Sequence, residues 1–213
     1  MKVLEAQFVT SAVDARGIPA DGIPHIALVG RSNVGKSTVI NALVRSPLAR
    51  TSAAAGKTRL ANLYRVSVDG GAGGAGRWSV YLADLPGYGY ARGGSDSVIE
   101  LARIAAAYFE DADATRRERS STARYRVAGV LHLVDSRHPG LAPDIEAANW
   151  LDATGLTRVL VATKIDKLSR AERAKNLGEL ERKLGMAALP ISARGGEGLD
   201  DLWRLIANLS RQP

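Results

Sequence analysis

Apolar residues along this chain fall into short continuous runs separated by stretches of helical spacing. Ile26, Ala27, Leu28 and Val29 form an unbroken run suited to a buried strand, and Val39, Ile40, Ala42 and Leu43 then recur with helical spacing. Upstream, Leu4 to Val13 reads as a short strand and Gly17 to Pro24 as the loop leading inward. After the first helix, Ser46 to Lys57 is polar and alanine-rich, with no apolar period. Leu60 to Val68 and Trp78 to Ala83 are strand-like, and the glycine-rich link between them predicts an antiparallel hairpin. Val98, Leu101, Ile104, Ala105, Tyr108 and Phe109 mark an amphipathic helix. Asp111 to Arg126 carries Arg116, Arg117, Arg119, Arg124 and Arg126 and predicts a mobile surface loop or an extended helix end.

From there the two periods alternate. Strands are expected at Val127 to Val134, Arg158 to Ala162 and Ala187 to Ile191, with helices at Ala142 to Ala153, Ser169 to Leu184 and over Leu199, Leu202, Trp203, Ile206 and Leu209. Alternating βα units with short links imply an α/β fold: a mostly parallel sheet with helices on both faces. Ligands of such sheets bind at the carboxyl ends of the strands, so the residues at those ends carry the functional question.

Composition narrows the class. At 213 residues one domain suffices, and 46% hydrophobic with 24% charged residues is ordinary for a water-soluble protein. The first thirteen residues lack an uninterrupted apolar segment and so do not read as a secretory signal, and no apolar run approaches a membrane span. The absence of cysteine excludes disulfides and thiolate chemistry and suits a reducing cytoplasm. A net charge of +7, with 22 of the 29 basic residues arginine, makes an anionic partner such as RNA plausible; an arginine-rich solvated face explains the same composition.

Between the first buried strand and helix lies GRSNVGKS, comprising Gly30, Arg31, Ser32, Asn33, Val34, Gly35, Lys36 and Ser37. Strand, glycine-rich loop, Lys-Ser pair and helix is the arrangement in which backbone N–H groups and a helix N-terminus enclose phosphates. Lys36 then serves the outer phosphates and the Ser37 hydroxyl a Mg²⁺ ion. Asp84, Leu85, Pro86 and Gly87 close the strand ending at Ala83; the Asp84 carboxylate can hold the ion's water shell, and the Gly87 N–H can approach a third phosphate. Thr58, in the irregular segment, can bring its hydroxyl to the same ion.

Thr163, Lys164, Ile165 and Asp166 follow another strand. An ionised carboxylate such as Asp166 accepts two hydrogen bonds from the donor edge of guanine, which adenine does not offer, so it selects GTP over ATP. Lys164 can lie across the base, and backbone N–H groups of Ile191, Ser192 and Ala193 can reach the guanine carbonyl oxygen.

The set GRSNVGKS, GKT, DLPGYGYA, TKID and ISA, with VDSRHP at Val134 to Pro139, resembles the EngB-type (YihA/YsxC) GTP-binding proteins of the TrmE-Era-EngA-EngB-Septin-like superfamily, over nearly the whole chain. The resemblance implies a P-loop GTPase fold, three-layered αβα with one antiparallel strand in the sheet, forming a single domain over 1–213 with a strand and loop at 1–25 ahead of a nucleotide-binding core at 26–213. It also implies Mg²⁺ dependence, a role in assembling the large ribosomal subunit and a link to cell division. Under it Ser37 and Thr58 ligate Mg²⁺, and Gly56, Lys57, Thr58, Arg59 and Leu60 form the first switch. Asp84 to Gly87 begin the second. Ala55 and Arg59 stand where members often have proline and glutamine, and ARGGSDSV continues the second switch from Ala91.

No catalytic residue is assigned; Lys36, Thr58 and Gly87 serve as contacts to phosphate and transition state. Tyr88 occupies the position where Ras-like GTPases carry a water-orienting glutamine, so slow intrinsic hydrolysis, completed on a ribosomal precursor, is expected. Asn33 has two readings, a K⁺ ligand that supplies charge to the site or a turn asparagine. His132 reads as a core histidine, while Tyr88, Tyr90 and Arg92 fit either RNA stacking or, for a tyrosine, core packing. A P-loop kinase, a GTP-dependent switch of the division machinery and a basic RNA-binding module are the rival readings. A monomer is expected.

Overall fold

Successive residues of the central strand point to opposite sides of the sheet, and both sides are covered. The structure, a computed structural model, describes residues 1–12, 14–49, 61–70, 76–88, 107–109, 112–113 and 124–211. Its elements are β1 (Lys2–Ala12), β2 (His25–Gly30), α1 (Lys36–Val44), β3 (Ala61–Asp69), β4 (Arg77–Asp84), β5 (Ala112–Asp113), β6 (Tyr125–Asp135), α2 (Ala142–Ala153), β7 (Arg158–Thr163), α3 (Arg170–Leu184), β8 (Leu189–Pro190) and α4 (Leu199–Arg211). In β2 every residue is buried. Ile26 and Leu28 pack with Ile40 and Leu43 of α1 and with Leu202 and Ile206 of α4, whereas Ala27 and Val29 pack with Ala147 and Leu151 of α2 and with Tyr108. A strand covered on both faces has no polar side to present, which is why its sequence is a run and not an alternation.

The strands lie in the order β1-β3-β4-β2-β6-β7-β8, with β5 beside β6. β3 runs antiparallel to both of its neighbours, and every other pairing is parallel. This is the three-layer αβα arrangement with one antiparallel strand. The expected hairpin is present as β3 and β4, its register running from Asn62 opposite Asp84 to Asp69 opposite Arg77.

Two expectations are corrected. β1 begins at Lys2 rather than Leu4, and its register slips between Val3 and Glu5 and again between Phe8 and Thr10. Each slip breaks the two-residue alternation by which a strand is read from sequence. Within the stretch expected as an arginine-rich loop or helix end, Ala112–Asp113 and Tyr125–Arg126 are paired as parallel strands. Tyr125 is buried there and stacks on His25 at a ring separation of 4.9 Å, and the Arg126 guanidinium donates to the Ser210 carbonyl, so aromatic packing extends β6 back into the polar stretch. The first-switch residues Gly56 to Leu60, the glycine-rich link at 71–75, Tyr90, Arg92, ARGGSDSV, the amphipathic helix before Ala107, and Arg116, Arg117 and Arg119 lie outside the described residues.

α3 starts where a capping box places it, with the Ser169 hydroxyl accepting from the Glu172 amide and the Glu172 carboxylate accepting from the Ser169 amide. Trp203 of α4 donates its indole N–H to the Leu43 carbonyl at 3.2 Å, fastening α4 to α1 on one face. Among the described residues no helix is long and apolar enough to cross a membrane. The loops after β2, β4, β7 and β8 gather at one edge of the sheet.

Candidate functional site

The loop after β2 leads straight into α1. Gly35 has φ of 109°, a conformation that side chains disfavour, and it precedes the first helical residue, so the turn into the helix needs glycine there. Lys36 folds back over the loop and donates to the Gly30 carbonyl at 3.0 Å. Burial lowers its pKa and the nearby Asp84 carboxylate raises it; burial dominates. Asn33 sits at φ 62° with an exposed side chain, a left-handed position that asparagine tolerates.

Asp84 ends β4 directly opposite. Its Oδ2 accepts from the Ser37 hydroxyl at 3.1 Å, while Oδ1 is buried with no hydrogen-bond partner among the described residues. Burial raises the Asp84 pKa, against Lys36 and Ser37, which both favour the anion. A hydroxyl beside an unpartnered carboxylate oxygen is the hard-oxygen setting that Mg²⁺ takes, with few protein ligands and the rest from phosphate and water. Gly87 is packed so close that a Cβ there would lie 2.8 Å from the Ser32 nitrogen and 2.9 Å from Lys36 Nζ, so only glycine fits.

The other end of the site is built from the loops after β7 and β8. The Thr163 hydroxyl lies 2.9 Å from the Val34 carbonyl, tying β7 to the phosphate loop, and Lys164 donates to the Asn33 carbonyl at 2.6 Å and to Asp135 at 2.9 Å. Asp166 Oδ1 accepts from the Ser192 hydroxyl at 2.8 Å, and Ser192 Oγ in turn accepts from the Gly195 amide. Gly35, Thr38, Lys164, Asp166, Ala193 and Arg194 line a cleft of about 330 Å³ there. The sequence-predicted residues from the two loops therefore meet across one cleft.

One part of the base-site expectation is corrected. The Ile191 amide donates to the Ala162 carbonyl and the Ser192 amide to the Glu197 carbonyl, because β8 and its turn consume both. Ala193 is left, with an amide that makes no hydrogen bond among the described residues.

Sequence reasoning missed two carboxylates. Burial would raise the Asp135 pKa, but hydrogen bonds from Arg137 and Lys164 outweigh it and hold the group well below the usual carboxylate range. Asp144, fully buried in the first turn of α2, accepts from Arg31 Nε at 3.2 Å and from the Tyr88 hydroxyl at 2.8 Å. Asp135 could have been found through VDSRHP, which carries part of the family resemblance and begins at the end of an expected strand. Nothing in the local pattern around Asp144 signals its partners. Tyr88 is 1% exposed, so of its two readings core packing holds, and His132 is the expected buried histidine, with burial pushing its pKa down to about 3.

Residues 25–164 match the family model described as 50S ribosome-binding GTPase. An EngB GTP-binding protein from Heliobacterium modesticaldum is 38% identical over 97% of this chain and 92% of its own length. Among solved structures, a GTP-binding protein EngB superposes with a TM-score of 0.58 at 21% identity, covering 89% of this chain and 99% of that one. Era in complex with MgGDPNP and nucleotides 1506–1542 of 16S ribosomal RNA does so with a TM-score of 0.62 at 24% identity, covering 88% of this chain and 57% of that one.

Proposed function

The chain belongs to the EngB family of GTP-binding GTPases, and on that premise we propose that it is a Mg²⁺-dependent switch whose GTP-bound form acts in assembly of the bacterial large ribosomal subunit. The observation that carries the nucleotide assignment is the cleft joining Gly35 and Thr38 at one end to Asp166 and Ala193 at the other, with Lys164 and Thr163 bonded back onto the phosphate loop between them. Gly30 to Ser37 hold the phosphates, Asp166 takes the donor edge of guanine, and the free amide of Ala193 meets its carbonyl oxygen. Ser37 holds Mg²⁺, with Asp84 behind it and Thr58 completing the set; the ion neutralises charge on the phosphates when bound. Asn33 stands as the candidate K⁺ ligand.

Hydrolysis is slow by itself. The residue after Gly87, Tyr88, is turned into the core, where it cannot orient an attacking water. A partner is therefore needed to complete the site, and a ribosomal precursor fits two observations: the +7 charge and the family description. A protein of this kind works in the cytoplasm as a monomer, and its loss disturbs division through ribosome supply.

The experiment is nucleotide binding with GDP, GTP and ATP in Mg²⁺, wild type beside Asp166→Ala, followed by single-turnover hydrolysis with and without large-subunit particles. Guanine-selective binding lost in the variant, and hydrolysis accelerated by particles, are the expected results. ATP bound as well as GTP would remove the base assignment, and particle-independent turnover would remove the ribosomal role.

A further inference from the structure

Tyr88 is held from both its ends. Its hydroxyl donates to Asp144 Oδ1 at 2.8 Å and lies 2.9 Å from His132 Nε2. A phenol has one hydrogen, so with Asp144 taking it the imidazole must donate from Nε2. Neutral His132 can do so as the Nε2–H tautomer, and its burial favours the neutral ring. At the main chain, the Tyr88 carbonyl accepts from the Ser32 amide at 2.9 Å, and Arg31 and Tyr88 form a parallel bridge. Arg31 also binds Asp144, so one buried carboxylate joins the phosphate loop to the start of the second switch.

The seat has a consequence for the phosphates. With Tyr88 in place, Gly87 lies so tightly on the loop that its open side is filled by Lys36 Nζ and the Ser32 nitrogen. A third phosphate contacted by both the Lys36 ammonium and the Gly87 amide would have to enter at that packed junction, whereas two phosphates held by the loop amides would not.

We propose that Asp144, Tyr88, His132 and Arg31 form a latch that sets discrimination between di- and triphosphate: seated, it favours the diphosphate, and a third phosphate must lift Gly87 and with it Tyr88. The inference rests on the guanine-nucleotide reading of the same cleft. Binding energy from the third phosphate is then partly used to unseat the latch.

Tyr88→Phe keeps the ring and deletes the hydroxyl; Asp144→Asn keeps the shape and weakens the acceptor. For each, the affinities for GDP and for a non-hydrolysable GTP analogue are measured by calorimetry, with thermal unfolding as a control and amide exchange at Ser32 followed in the nucleotide-free protein. The expected result is a GTP-analogue to GDP affinity ratio raised about tenfold in Tyr88→Phe and less in Asp144→Asn, with faster Ser32 exchange. An unchanged or lowered ratio in folded variants overturns the latch, as does lost stability with the ratio intact. A wild type that binds neither nucleotide overturns the guanine-nucleotide reading instead.

Discussion

Lys164 and Asn33 meet across the site: the lysine ammonium donates to the asparagine carbonyl at 2.6 Å, joining positions 131 residues apart in the chain. The lysine backbone is itself left-handed, at φ 61°, which directs its side chain back over the phosphate loop. Together with the Thr163 hydroxyl on the Val34 carbonyl, this side chain sets the spacing between the loop after β2 and the loop after β7, the two walls of the cleft.

Lys164→Ala should therefore weaken GDP and GTP together, by about 10- to 100-fold, the loss expected for a charge-assisted hydrogen bond whose partner carbonyl is left open. Asp135→Asn should cost less, since the bond to Asn33 survives. Titration calorimetry against both nucleotides checks this. Wild-type affinities in Lys164→Ala would mean that the two walls are held by other contacts.

The meeting of Ser37 and Asp84 predicts how the metal acts. In wild type, chelating Mg²⁺ should reduce GTP affinity about tenfold or more, and in Ser37→Ala the Mg²⁺-bound and chelated affinities should nearly coincide. The difference between the two conditions is the quantity to measure, because it cancels any general weakening of the loop. A Ser37→Ala protein that keeps the full Mg²⁺ effect would remove the hydroxyl from the metal's ligands.

Two buried histidines predict an acid-labile fold. Burial lowers the pKa of His25 to about 4 and that of His132 to about 3, from an ordinary 6.5. Each ring is harder to protonate folded than unfolded, so below the ordinary value the unfolded chain binds more protons. Stability is then full above pH 6.5 and is lost as pH falls toward the folded values, with a slope of at most about 1.4 kcal/mol per pH unit for each ring. Urea unfolding at about pH 7 and about pH 5 measures the loss. His25→Asn should lower stability at neutral pH yet flatten the pH dependence, and a wild-type profile flat across that range would contradict the burial of both rings.

Legibility followed the range of the interactions. The turn at Gly35, the Lys-Ser pair and the capping box at Ser169 and Glu172 depend on neighbours within a few positions, and their residues announce them. The continuous run Ile26 to Val29 likewise declared a strand covered on both faces. By contrast, β1 was misplaced at its start because two register slips erase the alternation, and β6 was read short because Tyr125 belongs to an aromatic cluster with His25 that no local pattern contains.

By itself the amino-acid order determined the glycine-rich loop into α1, the place of Asp166 just after β7 and the α/β layering, since each is encoded in contiguous residues with their own backbone preferences. Only the tertiary structure decided that Asp144 binds both Arg31 and Tyr88, that Asp135 steadies Lys164, and that Ile191 and Ser192 have no amide to spare. Those contacts join separate strands and helices, and which side chains meet there depends on strand register and helix placement, quantities set by packing the whole core.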